Sequence, residues 1–531
     1  MHHNYVTLLA VPAKTRVISF NHEDAPYMQL DINPQFKHAI EMMANTDKCL
    51  FITGKAGTGK STLLNYFCAQ CEKNPVVLAP TGVAALNVKG QTIHRFFNFY
   101  IDITPQKIRE KKVIPKDPDL YKALKTLIID EVSMLRADLL DCIDEFLRIY
   151  GPKLGKAFGG VQMVFVGDLY QLPPVVIAHE QEVFRTHYKT PYFFSAHAFR
   201  NREIEIIELK KIYRQKDQEF VDLLNQIRHN SVQDADMAQL NSRYLPDFQP
   251  NHEGLSISLT TTNKRADEIN DAHLQELSGT LHETEAEIEG EFGREYFPTS
   301  TELQFKVGAQ IMMLNNDSRK RWVNGSIGVV EAIKRNSEGE DYVRVRLSDT
   351  DEVIFVNRFK WEVFQFGFNG TEIVSEPAGT FTQFPFRLAW AITIHKSQGK
   401  TFDHVVIDIG KGTFVPGQMY VALSRCTSFA GVVLKTPIRK HDIRTDARIF
   451  EFLLRQKSAL IEKAIETGQS LDITYLKADD TKTQRVVIPK SISMATYLGE
   501  QYLGMKARCT QINQELMFRV DRILAINVDV D

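Results

Sequence analysis

Cysteine is scarce in this 531-residue chain. Cys49, Cys68, Cys71, Cys142, Cys426 and Cys509 are scattered, with no spacing that makes a disulfide framework or a zinc site. Cys68 and Cys71 form a lone CxxC inside a helical run and read as helix packing. Long apolar runs are missing too: nothing approaches the roughly 18 residues of a membrane span. Val6–Val11 is short and has no cationic flank, so it is not read as a secretory leader, and a cytoplasmic location without membrane partners is expected. Neither sign of charge is in excess, with a net charge of −2. A globally basic nucleic-acid binder is therefore excluded. Any such binding must come from local patches, such as Lys107–Lys116 or Arg319–Arg321, and from a shaped groove. What is present is an ordinary balance, 43% apolar and 24% charged. At roughly 150 residues per domain, three or four domains are expected. Residues 1–30 have no clear period and suggest no role.

The most informative stretch is Leu50–Leu64, LFITGKAGTGKSTLL. An apolar strand runs into a glycine-rich turn, and Lys60-Ser61-Thr62 opens an amphipathic helix. Gly57 and Gly59 let the backbone curl so that successive N–H groups converge on phosphate oxygens at the positive end of the helix, around Thr58. Lys60 is placed for the β and γ phosphates and Ser61 for Mg²⁺. Upstream, Asn33 and Pro34 form a helix start. Gln35 beside them either pairs with an adenine edge or is a polar surface residue.

Downstream, Val76–Ala79, Leu127–Ile129 and Val161–Val166 are short apolar strands separated by helical stretches. That pattern describes a buried parallel sheet with functional residues at its carboxyl ends. Asp130 is placed to hold Mg²⁺ directly or through water, and Glu131 to orient and deprotonate an attacking water. The amide of Gln171, in GDLYQLPP, suits either water or γ-phosphate.

GKAGTGKST, APTGVAAL, IIDEVSML and VGDLYQLPPV, in this order, resemble the superfamily-one helicases of the Pif (petite integration frequency) type, which are related to the RecD type. Glu131–Gly160 resembles the Pif signature segment. LKKIYRQ at 209–215 and TTTN at 260–263 are similar to later motifs of that family, as are WAITIHKSQG at 390–399 and QMYVALSR at 418–425. The resemblance covers residues 31 to about 436.

The resemblance implies an α/β protein with two RecA-like P-loop domains, a small wedge subdomain and an inserted SH3-like β-barrel. ATP and Mg²⁺ would lie between the RecA-like domains, and single-stranded DNA would cross their tops. Domain 1A is expected over 31–205, with the wedge at about 95–118. Domain 2A is expected over 206–280 and 383–436, and the insert over 281–382. Lys60, Glu131, Gln171, Arg214 and Arg425 would be catalytic, both arginines coming from the second RecA-like domain. Read alone, Arg214 could merely pair with Asp217 along a helix. Gln35, Gly57, Thr58, Gly59, Ser61, Thr62 and Gln398 would complete the nucleotide site, with Ser61 and Asp130 at the metal. Thr81, Gly82, His94, Phe96, Thr262, Thr393, His395 and Lys396 would touch the nucleic acid. Of Phe96, Phe97 and Phe99, at least two read as core and one as a base-stacking ring.

In the insert, Tyr342–Leu347 and Glu352–Val356 read as a hairpin, and Gly325 and Gly328 as turn glycines. Asp442–Gln456 reads as a linker helix within 437–458, and a new β-rich unit is expected over 459–531, opening on a separate helix at Ile461–Thr467. Tyr502-Leu503 and the later FRVDRI resemble a WYL domain, with Gln501 where the family has its tryptophan. This implies Tyr502, Arg508, Arg519 and Arg522 as pocket residues for a small ligand or nucleic acid. A packing module that braces the rest is the alternative.

The combined expectation is a monomeric, nucleoid-associated, ATP-dependent DNA helicase. It would move five-prime to three-prime on single strands and open forked or tailed duplex. By resemblance it would serve repair, recombination or telomere maintenance. Two alternatives remain open at this point: an ATP-switched nucleic-acid-binding regulator without processive unwinding, and an RNA-directed translocase.

Overall fold

A computed structural model describes residues 32–528, except 72, 101, 177–179, 201, 216, 249–254, 336, 338, 478–480 and 498–499. The N-terminal extension, with Val6–Val11, lies outside the described residues. The first helix, Pro34–Asn45, begins as its sequence suggests: Asn33 accepts from the Phe36 N–H at 2.9 Å, and Pro34 occupies a position whose N–H needs no partner. It buries Phe36, Ala39, Ile40 and Met43.

A six-stranded, all-parallel sheet follows, ordered Gln91–Thr92, Val76–Ala79, Thr126–Ile129, Gln162–Gly167, Leu50–Gly54 and Glu205–Leu209. Burial on both faces explains why the central strands read as unbroken apolar runs. Glu205–Leu209 pairs along Leu50–Gly54, so this strand belongs to the first sheet and a second unit cannot begin at 206. The second parallel sheet is ordered Ala391–Thr393, Ile257–Thr260, Val405–Asp408 and Val432–Leu434. One apolar core runs from the first sheet into the second, through Phe51, Phe165, Leu259, Val405 and Leu423.

Between the second sheet's strands lies a mostly antiparallel insert. Its main sheet joins Val353–Val356, Asp341–Leu347, Ile327–Arg335, Gln310–Met313 and Phe386–Leu388. The insert therefore closes at residue 388, not 382. The hairpin forms where the alternation placed it, with Val345 opposite Ile354. Gly325 sits in a turn at φ 109°, but Gly328 is inside a strand. A Cβ on Gly328 would lie 2.6 Å from Val345 and 2.7 Å from the Arg346 carbonyl oxygen, so close strand packing is what requires glycine.

Ala447–Thr467 is a single 21-residue helix, not a linker helix followed by a second one. Its apolar stripe, Ile449, Phe452, Ile461 and Ala464, holds through the polar stretch that suggested a break. Phe452 stacks on Phe194 at 4.3 Å, whereas Ile461 and Ala464 enter the core of the C-terminal sheet. That sheet is antiparallel, in the order Gln514–Arg519, Glu500–Cys509, Lys482–Tyr497, Leu471–Leu476 and Ile523–Val528. Cys68 is exposed and Cys71 half-buried just beyond the phosphate-loop helix, so only Cys71 packs. Among the described residues, no helix is long and apolar enough to cross a membrane.

Candidate nucleotide cleft and nucleic-acid interface

Gly57 and Gly59 adopt φ of 80° and 83°, the left-handed conformations that the phosphate-loop turn requires. Around that turn Thr58 is buried and donates to the Lys55 carbonyl at 2.9 Å. Lys60 folds back to donate to the carbonyls of Gly54 at 2.7 Å and Lys55 at 3.1 Å. Burial lowers its pKa, and the carboxylates of Asp168, Glu131 and Asp130 oppose that shift. Ser61 and Thr62 lie exposed on the first turn of the helix Lys60–Gln70.

Asp130 follows its strand directly, with its N–H bonded to the Leu78 carbonyl and its carboxylate accepting the Glu131 N–H at 2.9 Å. Burial, and then the charge of Glu131, push its pKa up to about 7. A hard divalent cation beside it would favour the charged form, and the donor set of an exposed hydroxyl with a buried carboxylate suits Mg²⁺. Glu131 sits at φ 49°, and the Gln398 amide donates to its carboxylate at 2.9 Å. Gln171 is buried in the turn after Gln162–Gly167.

The two arginines reach the cleft differently. Arg425, 1% exposed, donates to the carbonyls of Val421 and Lys400 and to the Ser424 hydroxyl, at 2.9, 3.3 and 2.7 Å. Burial, reinforced by neighbouring Arg214, lowers its pKa to about 9. Arg214 does not cross from the second sheet. It lies on the segment that leaves Glu205–Leu209, where the preceding Tyr213 N–H bonds the Gly57 carbonyl at 2.9 Å. A Cβ on Gly57 would meet Arg214 at 2.5 Å, so glycine is needed there for contact as well as conformation. Arg214 then donates to the Ser424 and Gly399 carbonyls, which ties the joint to the second sheet's loops.

Several residues that no motif reading assigned complete the cleft. Asp168 and Arg228, 0% and 5% exposed, pair at 3.0 Å. Burial pushes Asp168 up, but the charges of Arg228 and Lys60 outweigh it and hold the carboxyl below its ordinary value. Arg228 also lies 4.1 Å over the Tyr170 ring. The Tyr420 hydroxyl donates to Asp168 at 3.3 Å and accepts the Ala56 N–H of the phosphate loop at 3.1 Å. Tyr213, exposed, borders Gly59 together with Phe36, and Asn33 donates to its hydroxyl at 3.2 Å. The half-buried Gln35 directly precedes Phe36 in sequence. Position after a strand was a signal for Asp168. Arg228 is the last residue of an amphipathic helix and carried none.

The residues expected at nucleic acid fall into two groups. Thr393 lies opposite Thr260 at the carboxyl edge of the second sheet. Thr262 caps the next helix, His395 is half-buried, and Lys396 is exposed. On the first sheet, Thr81 caps Gly82–Asn87, and His94 is half-buried, its pKa lowered by burial and then by Arg136. Phe96 is not at a surface: it is 5% exposed and packs on Phe97, Tyr121 and Phe366, so Phe96, Phe97 and Phe99 are all core. Gly82 is also closed off, because a Cβ there would lie 2.0 Å from the Glu295 carbonyl oxygen of the insert. Arg95 holds the same insert segment through Glu291, and Tyr296 bonds Thr92.

In the C-terminal sheet, Arg519 lies 5.0 Å over the Tyr502 ring. Arg508 does not join them, since six residues along the strand Glu500–Cys509 carry it roughly 20 Å away, where it bonds Asn513. Arg522 is bonded to the Lys477 carbonyl at 2.6 Å.

Residues 31–238 match the PIF1-like helicase model, and residues 456–528 the WYL domain. The structure of Pif1 from Bacteroides sp in complex with ADP-AlF4 is 36% identical in sequence, is matched over 81% of this chain and 98% of that one, and superposes with a TM-score of 0.74. The chain belongs to the PIF1-like helicase family. Its α/β core of parallel sheets is that of Pif1 structures, and its β-rich C-terminal region is a WYL domain. The ATP-dependent DNA helicase PIF1 of Mus musculus is 34% identical over 80% of the chain, and the chain covers 63% of that relative's length. Bacteroides Pif1 bound to ssDNA, with the same identity and coverage as the nucleotide complex, superposes at only 0.59. The unliganded Bacteroides Pif1 superposes at 0.72, so this PIF1-like chain lies closer to the strand-free arrangement than to the strand-bound one.

Proposed function

We propose that the chain is an ATP-dependent DNA helicase that moves five-prime to three-prime along single-stranded DNA and opens forked or tailed duplex. The observation that carries this reading is the joint at the phosphate loop. Arg214 and Arg425 converge there on carbonyls of Ser397–Ser424 loops, and Tyr420 bridges Ala56 and Asp168. A nucleotide in that joint touches both sheets, so its hydrolysis alters how they sit together. RecA-like domain 1A then comprises about 31–209 with the wedge, and domain 2A the second sheet. The insert is the SH3-like element.

In the working cycle the ATP phosphates take Lys60 from the Gly54 and Lys55 carbonyls. Ser61 and Asp130 would hold Mg²⁺, which would supply charge neutralisation on the phosphates. Glu131, positioned by Gln398, takes the proton of the attacking water, and Gln171 reads the γ-phosphate. Arg425 and Arg214 neutralise charge on the transferring group. The adenine stacks on Tyr213, with Gln35 at its edge. Thr81, His94, Thr262, Thr393, His395 and Lys396 grip the sugar-phosphate chain, mainly through hydroxyls and backbone amides. Gly82 joins them only when the Glu291–Tyr296 segment of the insert lifts away. The protein acts as a monomer in the nucleoid, and its WYL domain holds a small ligand or strand at Tyr502 and Arg519. Strand displacement from duplexes carrying either a five-prime or a three-prime tail tests this reading. Displacement is expected only from the five-prime-tailed substrate, and ATP hydrolysis without displacement would favour the ATP-switched regulator.

A further inference from the structure

An open cavity of about 690 Å³ lies outside the nucleotide joint. Lys440, His441 and Arg444 line it with Asn230 and Thr445, and Val232, Pro416 and Ile443 give it an apolar wall. No carboxylate is among the described residues that line it. Asp442, in the same segment, is turned inward and spent on the Arg439 and Thr413 N–H groups. Lys440 pairs with Asp234 at 2.7 Å, but both side chains are well exposed, and such pairs are weak competitors for a better anion. Arg444 uses its Nε on the His441 carbonyl at 2.7 Å, which fixes the guanidinium plane. A braced guanidinium, an exposed lysine beside it and apolar lining residues, around an open volume within the roughly 300–1,000 Å³ of ligand pockets, suit an anion carrying phosphate groups.

We propose that this cavity is a binding site for a small phosphate-bearing anion, distinct from the ATP joint and coupled to it. The coupling is short. The Thr445 hydroxyl donates to the Arg228 carbonyl at 2.9 Å, and Arg228 pairs with Asp168 in the joint. The Gly417 N–H donates to the Arg444 carbonyl at 2.9 Å, and Gly417 packs so tightly on Gln171 that a Cβ would fall 2.3 Å from its carbonyl oxygen. An anion drawn against Lys440 and Arg444 therefore bears on the segment 440–445, which holds one strut to Asp168 and another to Gln171.

The test is calorimetric titration of inorganic tripolyphosphate into the full chain already saturated with Mg-ADP and aluminium fluoride, which fill the ATP site. One further site per chain is expected. Its Kd should rise at least tenfold in Arg444→Ala and in Lys440→Ala, while both variants keep wild-type ADP affinity. Binding should also change the release rate of a preloaded fluorescent ADP analogue at least twofold in the wild type and not in Arg444→Ala. Absence of a second binding event, or unchanged affinity in both variants, would overturn the site, and unchanged release would overturn the coupling. If the variants instead lose affinity only for a single-stranded oligonucleotide, the assignment to a small anion is wrong. None of these readouts depends on strand displacement, so the site and the helicase reading stand or fall separately.

Discussion

The phosphate-loop joint and the C-terminal sheet handle charge in opposite ways. In the joint, Asp168, Arg228 and Arg425 are almost wholly buried; Asp168 and Arg228 pair with each other, and Arg425 donates to backbone carbonyls and the Ser424 hydroxyl. In the C-terminal sheet, the Lys506–Glu515 pair at 2.9 Å sits at the surface, as does the contact of Lys490 with Glu515. Removing one partner of a buried pair strands a charge in low dielectric, whereas a surface pair is replaced by water. The joint is therefore specified by chemistry and the C-terminal sheet by packing.

The largest break in that contrast is expected at Arg425. Arg425→Ala should leave nucleotide binding intact and slow steady-state ATP hydrolysis by roughly 10³–10⁵. Normal turnover would remove Arg425 from the site. Next is Arg228→Met, which leaves Asp168 buried without its partner and should cost about 3–5 kcal/mol in denaturant unfolding. Adding Asp168→Asn should recover most of that loss. The same pair sets an acid limit. The carboxyl of Asp168 titrates lower in the folded chain than in the unfolded one, so its contribution is complete above the unfolded value and disappears as pH falls through the folded one. The acid limb of the stability curve should flatten in the double variant.

A smaller effect is expected where the two regions meet. The helix Ala447–Thr467 carries Phe452 on one side and Ile461 on the other, so cutting the chain near Arg455 would sever it in the middle. Phe452→Ala is the cleaner probe. It should cost about 3 kcal/mol by loss of the stack on Phe194, with ATP turnover retained if the C-terminal unit is a brace. Smallest of all is Glu515→Gln, which should leave the melting temperature unchanged. A marked shift would mean that the C-terminal sheet depends on charge after all.

The motifs made the joint legible because Asp130 and Glu131 follow the strand Thr126–Ile129 directly, and Lys60 opens the helix just past the glycine turn that follows Leu50–Gly54. Where a role depended on which way a side chain faces, sequence was a poorer guide. Phe96 follows His94 closely, yet its helical position turns it inward against Tyr121. Arg214 lies at the crossover between the two sheets rather than inside the second, because the strand Glu205–Leu209 before it pairs with the phosphate-loop strand, a contact across about 155 residues. Gly82 is covered by an insert segment more than 200 residues away, and Arg228 finds Asp168 only through the tertiary fold. The unbroken helix Ala447–Thr467 was hidden by a polar face that resembles a linker when read linearly.

The central claim is that a nucleotide held between Lys60 and Arg425 drives separation of strands. Its most direct test is ATP-dependent displacement from a five-prime-tailed duplex by the wild type, Lys60→Ala and Arg425→Ala side by side. The wild type should displace the strand, and both variants should fail while still binding the tail. Displacement by Lys60→Ala, or strand-stimulated ATP hydrolysis by the wild type with no strand released, would contradict it.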